Sequence, residues 1–99
     1  MMISIDEFEA LRVEPASFGH ARHVELAWCY LEAFAPDEAR ARFCAALQRF
    51  AAHAGVPGKY DQRLTDAWIE RIAASRSPGE SWESFAARNA ALFDKRAIR

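Results

Sequence analysis

Three histidines are the side chains of this chain best suited to ligand or metal chemistry. His20 and His23 lie three residues apart, so they would share one surface of a helix. With His53 and Asp61 they would offer three imidazole nitrogens and a carboxylate, a donor set that suits zinc or another borderline divalent ion. The same residue types are also common at solvated helix ends, where an aspartate caps the N-terminus and a histidine favours the C-terminus. Both interpretations, a metal site and ordinary helix ends, follow from these residues.

Basic side chains near the histidines indicate a second kind of binding chemistry. Arg22, Lys59 and Arg63 lie close to the predicted starts of two helices, and unpaired N–H groups at such starts bind phosphate or carboxylate. Tyr60 would donate a hydrogen bond to a bound molecule, or would bury its ring and keep its hydroxyl in water. For an enzyme, metal-assisted or general acid–base chemistry on a small polar substrate is the expected class.

The elements that must position these side chains are predicted to be helices. Ala, Leu, Glu and Arg dominate the chain, whereas the β-branched residues that favour strands are few. Capping and breaking residues then divide the chain into a short helix that begins after Ser4, a helix over about 21–34, a third from Pro36 to before Gly55, a fourth over about 62–75 capped by Asp61, and a last one through Trp82 that is interrupted around Asn89.

This division predicts one all-α domain over residues 1–99, an antiparallel bundle of four main helices plus a short N-terminal helix. Short connections favour antiparallel neighbours. The starts of the second and fourth helices would then share one end of the bundle with the finish of the third. At that end we expect a cluster of His20, His23, His53, Tyr60 and Asp61.

Helical spacing also predicts which side chains face the core. In the second helix, Trp28 belongs to the inner stripe and Glu25 to the opposite, solvated side; in the fourth, Leu64 is expected to face inward. Cys29 and Cys44 are too few for a disulfide framework and lie in mid-helix, where nothing lowers a thiol pKa, so we interpret both as packing residues.

An interaction module is the alternative to a ligand-binding protein. Little chain follows the last aromatic segment, so its apolar side chains would be left uncovered for a protein partner or a second copy of this chain. These side chains are Trp82, Phe85, Leu92 and Phe93.

Composition restricts the partners and the compartment. The chain has 13 Lys and Arg against 14 Asp and Glu, a net charge of −1, whereas a general nucleic-acid binder is usually basic. The start of the chain has no basic region followed by an apolar run, as a secretory signal would have, and no segment is long and apolar enough for a membrane helix. We therefore expect a cytoplasmic protein that binds neither nucleic acid nor membranes.

The stretch from Phe18 to Trp68 carries a recognisable pattern. It reads Phe-x-His-x-x-His, then Ala-Trp-x-Tyr-Leu, and later Lys-Tyr, Leu-Thr and Ala-Trp, in the residues Phe18, His20, His23, Ala27, Trp28, Tyr30, Leu31, Lys59, Tyr60, Leu64, Thr65, Ala67 and Trp68. In this the chain resembles a family of small all-helical bacterial proteins without an assigned activity. Asp61 and Arg63 stand where that family has His and Thr. The resemblance implies a helical fold and, at these two positions, a ligand bound differently or lost.

Overall fold

The computed structural model describes residues 2–96; within that range all the regular elements are helices and there is no β-strand. The prediction of an all-α chain is therefore confirmed. Its helices are α1 (Ile5–Glu9), α2 (His20–Ala33), α3 (Pro36–His53), α4 (Gln62–Ser75) and α5 (Trp82–Arg88), and single 3₁₀ turns cover Pro15–Ser17, Pro57–Lys59 and Ala90–Phe93. No helix of residues 2–96 combines the length and apolar character needed to cross a bilayer.

The helices begin and end where local chemistry predicts. The side chains of Ser4, Asp61 and Ser81 each accept a hydrogen bond from the backbone N–H three residues further on, which satisfies an otherwise unpaired donor of the first turn. Ser81 therefore caps α5. Gly55 follows the end of α3 with a φ of 80°, a left-handed conformation that glycine adopts without strain.

Helix α2 lies at the centre of the molecule and contacts α1, α3, α4 and the last 3₁₀ turn. Tyr30 in its middle is completely buried, and its hydroxyl donates to Oε2 of Glu9 at 2.7 Å. The other large side chains that are almost fully buried come from all five helices: Phe8, Phe43, Phe85, Leu26, Ile69, Ile72 and Val24. One core thus joins every helix.

This central position of α2 corrects two predictions. Glu25 is only 6% exposed instead of solvated, because α2 is covered on more than one side; Nη1 of Arg22 pairs with its Oε1 at 2.7 Å. Phe85 and Leu92 are buried as well, because α5 and the turn after it pack on α2, with the Trp82 ring 5.6 Å from that of Trp28. The prediction that the last aromatic segment is left uncovered is therefore wrong for Phe85 and Leu92.

Candidate ligand-binding cleft

A cleft of about 730 Å³ lies between α2, α3 and α4. Its volume is within the range of small-molecule sites in proteins, and such sites often lie between the helices of a bundle. The floor is apolar and is formed by Val24, Ala27, Phe43, Leu47, Phe50 and Ile72. The polar side chains of the lining are His20, His23, Lys59, Tyr60, Asp61, Thr65 and Lys95.

One helical face of each long helix forms the cleft. Helix α2 contributes residues 20, 23, 24 and 27, α3 together with its cap contributes 43, 47, 50, 51 and 54, and α4 together with its cap contributes 61, 64, 65, 68 and 72. In each helix this spacing of three and four residues marks a single face. The cleft therefore has a regular origin in the sequence: three faces that meet without filling the space between them.

The His20 ring is held by a backbone carbonyl and an indole. Its Nε2 lies 2.9 Å from the carbonyl oxygen of Leu92, and its centroid lies 4.6 Å from that of Trp68 in an edge-on arrangement. A carbonyl oxygen only accepts hydrogen bonds, so Nε2 carries the hydrogen. In the neutral ring, Nδ1 is then an acceptor.

The His23 ring is held in the same way with its nitrogens exchanged. Nδ1 donates to the carbonyl oxygen of Gly19 at 3.0 Å, and the ring lies 4.2 Å from that of Phe18. Burial lowers the pKa of His23; the hydrogen bond to Gly19 acts in the opposite direction, and the charge of His20 lowers the pKa further. The neutral imidazole is therefore favoured, with Nε2 as its acceptor.

The polar groups of α4 use their donors within the protein. Thr65 donates its hydroxyl hydrogen to the carbonyl oxygen of Asp61 at 2.7 Å, and one oxygen of the Asp61 carboxylate caps the helix by accepting from the N–H of Leu64 at 3.0 Å. The Tyr60 hydroxyl donates to Oε1 of Gln62 at 2.6 Å, and burial raises its pKa. Tyr60 thus lines the cleft, but its proton is used by Gln62.

Three of the predicted site residues do not line the cleft. Arg22 pairs with Glu25, and Arg63 and His53 are exposed. Each lies one residue away from the face that its helix turns to the cleft, about 100° around the axis. The predicted site residues that line the cleft are His20, His23, Lys59, Tyr60 and Asp61.

The predicted metal set of His20, His23, His53 and Asp61 finds no support. Among residues 2–96, no group of three or more His, Cys, Asp or Glu side chains is placed to hold a metal ion. The physical reason is that His53 lies outside the cleft that His20, His23 and Asp61 line.

Sequence reasoning missed the exposed apolar residues at the cleft. Leu64 was expected to be buried, yet it is 39% exposed, as is Val56. Leu64 does lie on the predicted face of α4, but that face borders the cleft, where no element covers it. Thr65 and Trp68 were also missed as lining residues. Steps of four and three residues from Asp61 along α4 lead to Thr65 and Trp68, so helical spacing would have identified both.

The two thiols are packing residues, as predicted. Cys44 lies beside a second, shallower cleft of about 500 Å³ between α3 and α4, where Gln62 Nε2 donates to its sulfur at 3.4 Å. Burial raises the pKa of the Cys44 thiol, and burial together with the charge of Glu25 raises the pKa of Cys29 to about 11. Both are protonated at neutral pH and are poor nucleophiles.

The resemblance to a family of small helical bacterial proteins stays a prediction. No protein-family model, no curated protein and no solved structure matches this chain.

Proposed function

We propose that this chain binds a small, largely apolar organic molecule in the cleft between α2, α3 and α4, with a polar group of the ligand directed toward His20 and His23. The observation that carries the proposal is the cleft itself: about 730 Å³, an apolar floor and a few polar side chains concentrated at one end of the helices. Ligand sites in proteins combine the same features.

The exposed apolar side chains support a ligand that fills the cleft. Among the large hydrophobic residues in the described range, those that are exposed are Met2, Val56 and Leu64, and Val56 and Leu64 line the cleft. Covering them would remove apolar surface from water, which contributes roughly 25 cal/mol for each Å². A ligand with an apolar body would gain this free energy.

The histidines support a ligand with a polar group. Both rings are fixed from outside the cleft by backbone carbonyls and from the side by aromatic neighbours. Side chains held in this way are already ordered before a ligand arrives, so little conformational entropy is lost on binding. The aromatic residues of α5 give less support to an interaction module, because Phe85 is buried in the core.

The antiparallel order of α2, α3 and α4 belongs to the same proposal. The start of α2, the end of α3 and the start of α4 all contribute to the polar end of the cleft, as they would if successive helices ran in opposite directions. We infer that this order is what brings His20 and Asp61 to one ligand.

Titration with N-phenylnaphthylamine, an uncharged dye whose fluorescence rises in apolar surroundings, tests the proposal. Ala51 is half-buried on the cleft face of α3, and Ala52, the next residue, is exposed and lies off that face. We expect Ala51→Phe to block the cleft and abolish the fluorescence increase, and Ala52→Phe to bind the dye as the unsubstituted chain does. Equal binding by both variants would show that the dye lies elsewhere, and absence of binding to the unsubstituted chain would refute the proposed site.

A further inference from the structure

Three polar side chains that line the cleft use their hydrogen-bond donors within the protein and keep acceptors for a ligand. Around it, the imidazoles of His20 and His23 and the hydroxyl of Thr65 each donate to a backbone carbonyl of the protein. A neutral imidazole has one donor and one acceptor, and a hydroxyl has one donor and two lone pairs. These three side chains therefore have acceptors left, and no donor, for a bound molecule.

Asp61 adds negative charge to these acceptors. Its side chain caps α4 through one oxygen, and the cap uses a single N–H, that of Leu64. An ionised carboxylate accepts several hydrogen bonds, so Asp61 has acceptor capacity beyond the cap. The polar lining on α2 and α4 thus presents lone pairs and a carboxylate, a combination that favours a ligand with N–H or O–H groups.

Two lysines at the cleft could donate hydrogen bonds to a ligand and add positive charge. Lys59 and Lys95 are both exposed, as is Asp61, whereas His20 and His23 are half-buried. An exposed ammonium keeps its hydration and contributes little to a charge pair, while hydrogen bonds in a part-buried site are stronger because water competes less. The half-buried acceptors of His20 and His23, and not the exposed charges of the lysines or of Asp61, are therefore expected to select the polar group of the ligand.

The aromatic lining favours a cation as well. The rings of Tyr60 and Trp68, both half-buried, line the cleft, whereas those of Phe18 and Phe50 are buried against Phe8. The face of an aromatic ring attracts an ammonium group, and more strongly where water is excluded. Electrostatics of the rings and the hydrogen-bond acceptors thus act in the same direction.

We propose that the ligand of the cleft is an amine, with an ammonium group that donates to His20 Nδ1, His23 Nε2 and the Asp61 carboxylate and an aromatic or aliphatic body on the apolar floor. This inference rests on the proposed function and deepens it by naming the class of ligand. It reverses the expectation from the sequence that Arg22, Lys59 and Arg63 select an anion: Arg22 and Arg63 do not line the cleft, and Lys59, which does, is exposed.

Calorimetric titration with three probes of matched shape tests the head group at neutral pH. The probes are naphthylmethylamine, naphthylmethanol and naphthoate. Because a hydrogen bond to a charged group contributes about 1.5–3 kcal/mol, we expect the amine to bind roughly tenfold or more tightly than the carboxylate, with the alcohol between them. Equal or tighter binding of naphthoate would overturn the amine assignment while leaving the cleft as a ligand site. No binding of any probe, together with no binding of the dye above, would refute the site itself.

Substitution of Asp61 by asparagine separates its charge from its role in the fold, because asparagine is an equally good N-cap. Because Asp61 is exposed, its charge contributes modestly to a charge pair. Asp61→Asn is therefore expected to weaken binding of naphthylmethylamine by about two- to fivefold and to leave naphthylmethanol nearly unchanged. Asp37→Asn is the matched control: Asp37 is exposed, lies in the first turn of α3 and does not line this cleft. An Asp61→Asn protein that still prefers the amine to the same extent would refute the role assigned to this carboxylate.

Discussion

Replacing Leu64 by alanine separates what this side chain does for folding from what it does for binding. Leu64 is 39% exposed in the protein without a ligand. Full burial of a leucine contributes about 1.5–3 kcal/mol, so a ligand that covers the exposed fraction gains about 0.6–1.2 kcal/mol from it, or roughly three- to sevenfold in Kd. Leu64→Ala should therefore weaken ligand binding by that factor. Its free energy of unfolding should fall by well under the 2–5 kcal/mol, roughly, that truncation of a fully buried leucine costs.

Calorimetric titration with naphthylmethylamine and urea unfolding measure the two effects separately. Met2 is a matched control because it is 40% exposed and does not line the cleft, so Met2→Ala should leave the Kd unchanged. A second comparison is Ile72→Ala: Ile72 is 1% exposed, so its truncation should mainly lower the free energy of unfolding. If Leu64→Ala binds the amine as tightly as the unsubstituted chain, or if Met2→Ala weakens binding equally, the ligand does not cover the exposed side of α4 and the reasoning is wrong.

Three further outcomes follow from the hydrogen bonds and ionisable groups. The folded-state pKa of His23 is below its ordinary value of 6.5, so the stability that the neutral ring contributes above pH 6.5 should be lost as the pH falls from 6.5 through the folded-state pKa. His23→Phe should therefore flatten this part of a plot of the free energy of unfolding in urea against pH. The hydrogen bonds of Arg88 hold the pKa of Glu80 at about 2 against an ordinary 4.5; the contribution of this ion pair should be complete above pH 4.5 and lost between 4.5 and 2, and an acid limb that is unchanged in Glu80→Gln by circular dichroism would contradict it. Tyr30→Phe removes a 2.7 Å hydrogen bond to Glu9 and should lower the free energy of unfolding by about 1.5–3 kcal/mol, measured with urea. If the substitution leaves the free energy of unfolding unchanged, water satisfies Glu9 instead.

The ends of the helices could be predicted because they depend on few neighbouring residues. A serine or aspartate three residues before a backbone N–H closes its own first turn, as Ser4 and Asp61 do, and Gly55 supplies the left-handed conformation that ends α3. Asn89 ends α5, where the sequence predicts an interruption. Local chemistry of this kind is complete within a stretch of four or five residues.

Burial of particular side chains could not be predicted in the same way, because it depends on which elements cover a face. Glu25 and Leu64 show the two errors: a charged residue is buried because α2 is surrounded, and an apolar one is exposed because α4 borders a space that nothing fills. Helical periodicity identifies a face but carries no information about its partner. Phe85 is buried for the same nonlocal reason, since α5 packs on α2.

Part of the cleft lining could be named from the sequence, and part could not, because the phase of each helix decides which side chains face the cleft. The starts of α2 and α4 both border the cleft, and His20, His23 and Asp61 line it. Arg63 and His53 lie in the same turns but on other faces, so proximity along the chain was a misleading guide to them. The acceptor character of the histidines required the positions of two backbone carbonyls, which no sequence pattern contains.

The central claim, that the histidines present acceptors to a bound amine, is tested most directly by proton–nitrogen correlation spectra of the two imidazoles at neutral pH. The structure predicts hydrogen on Nε2 of His20 and on Nδ1 of His23, and a change in the resonances of the unprotonated nitrogens when naphthylmethylamine is added. The opposite tautomers, or imidazole spectra that do not respond to an amine that calorimetry shows to be bound, would contradict the account.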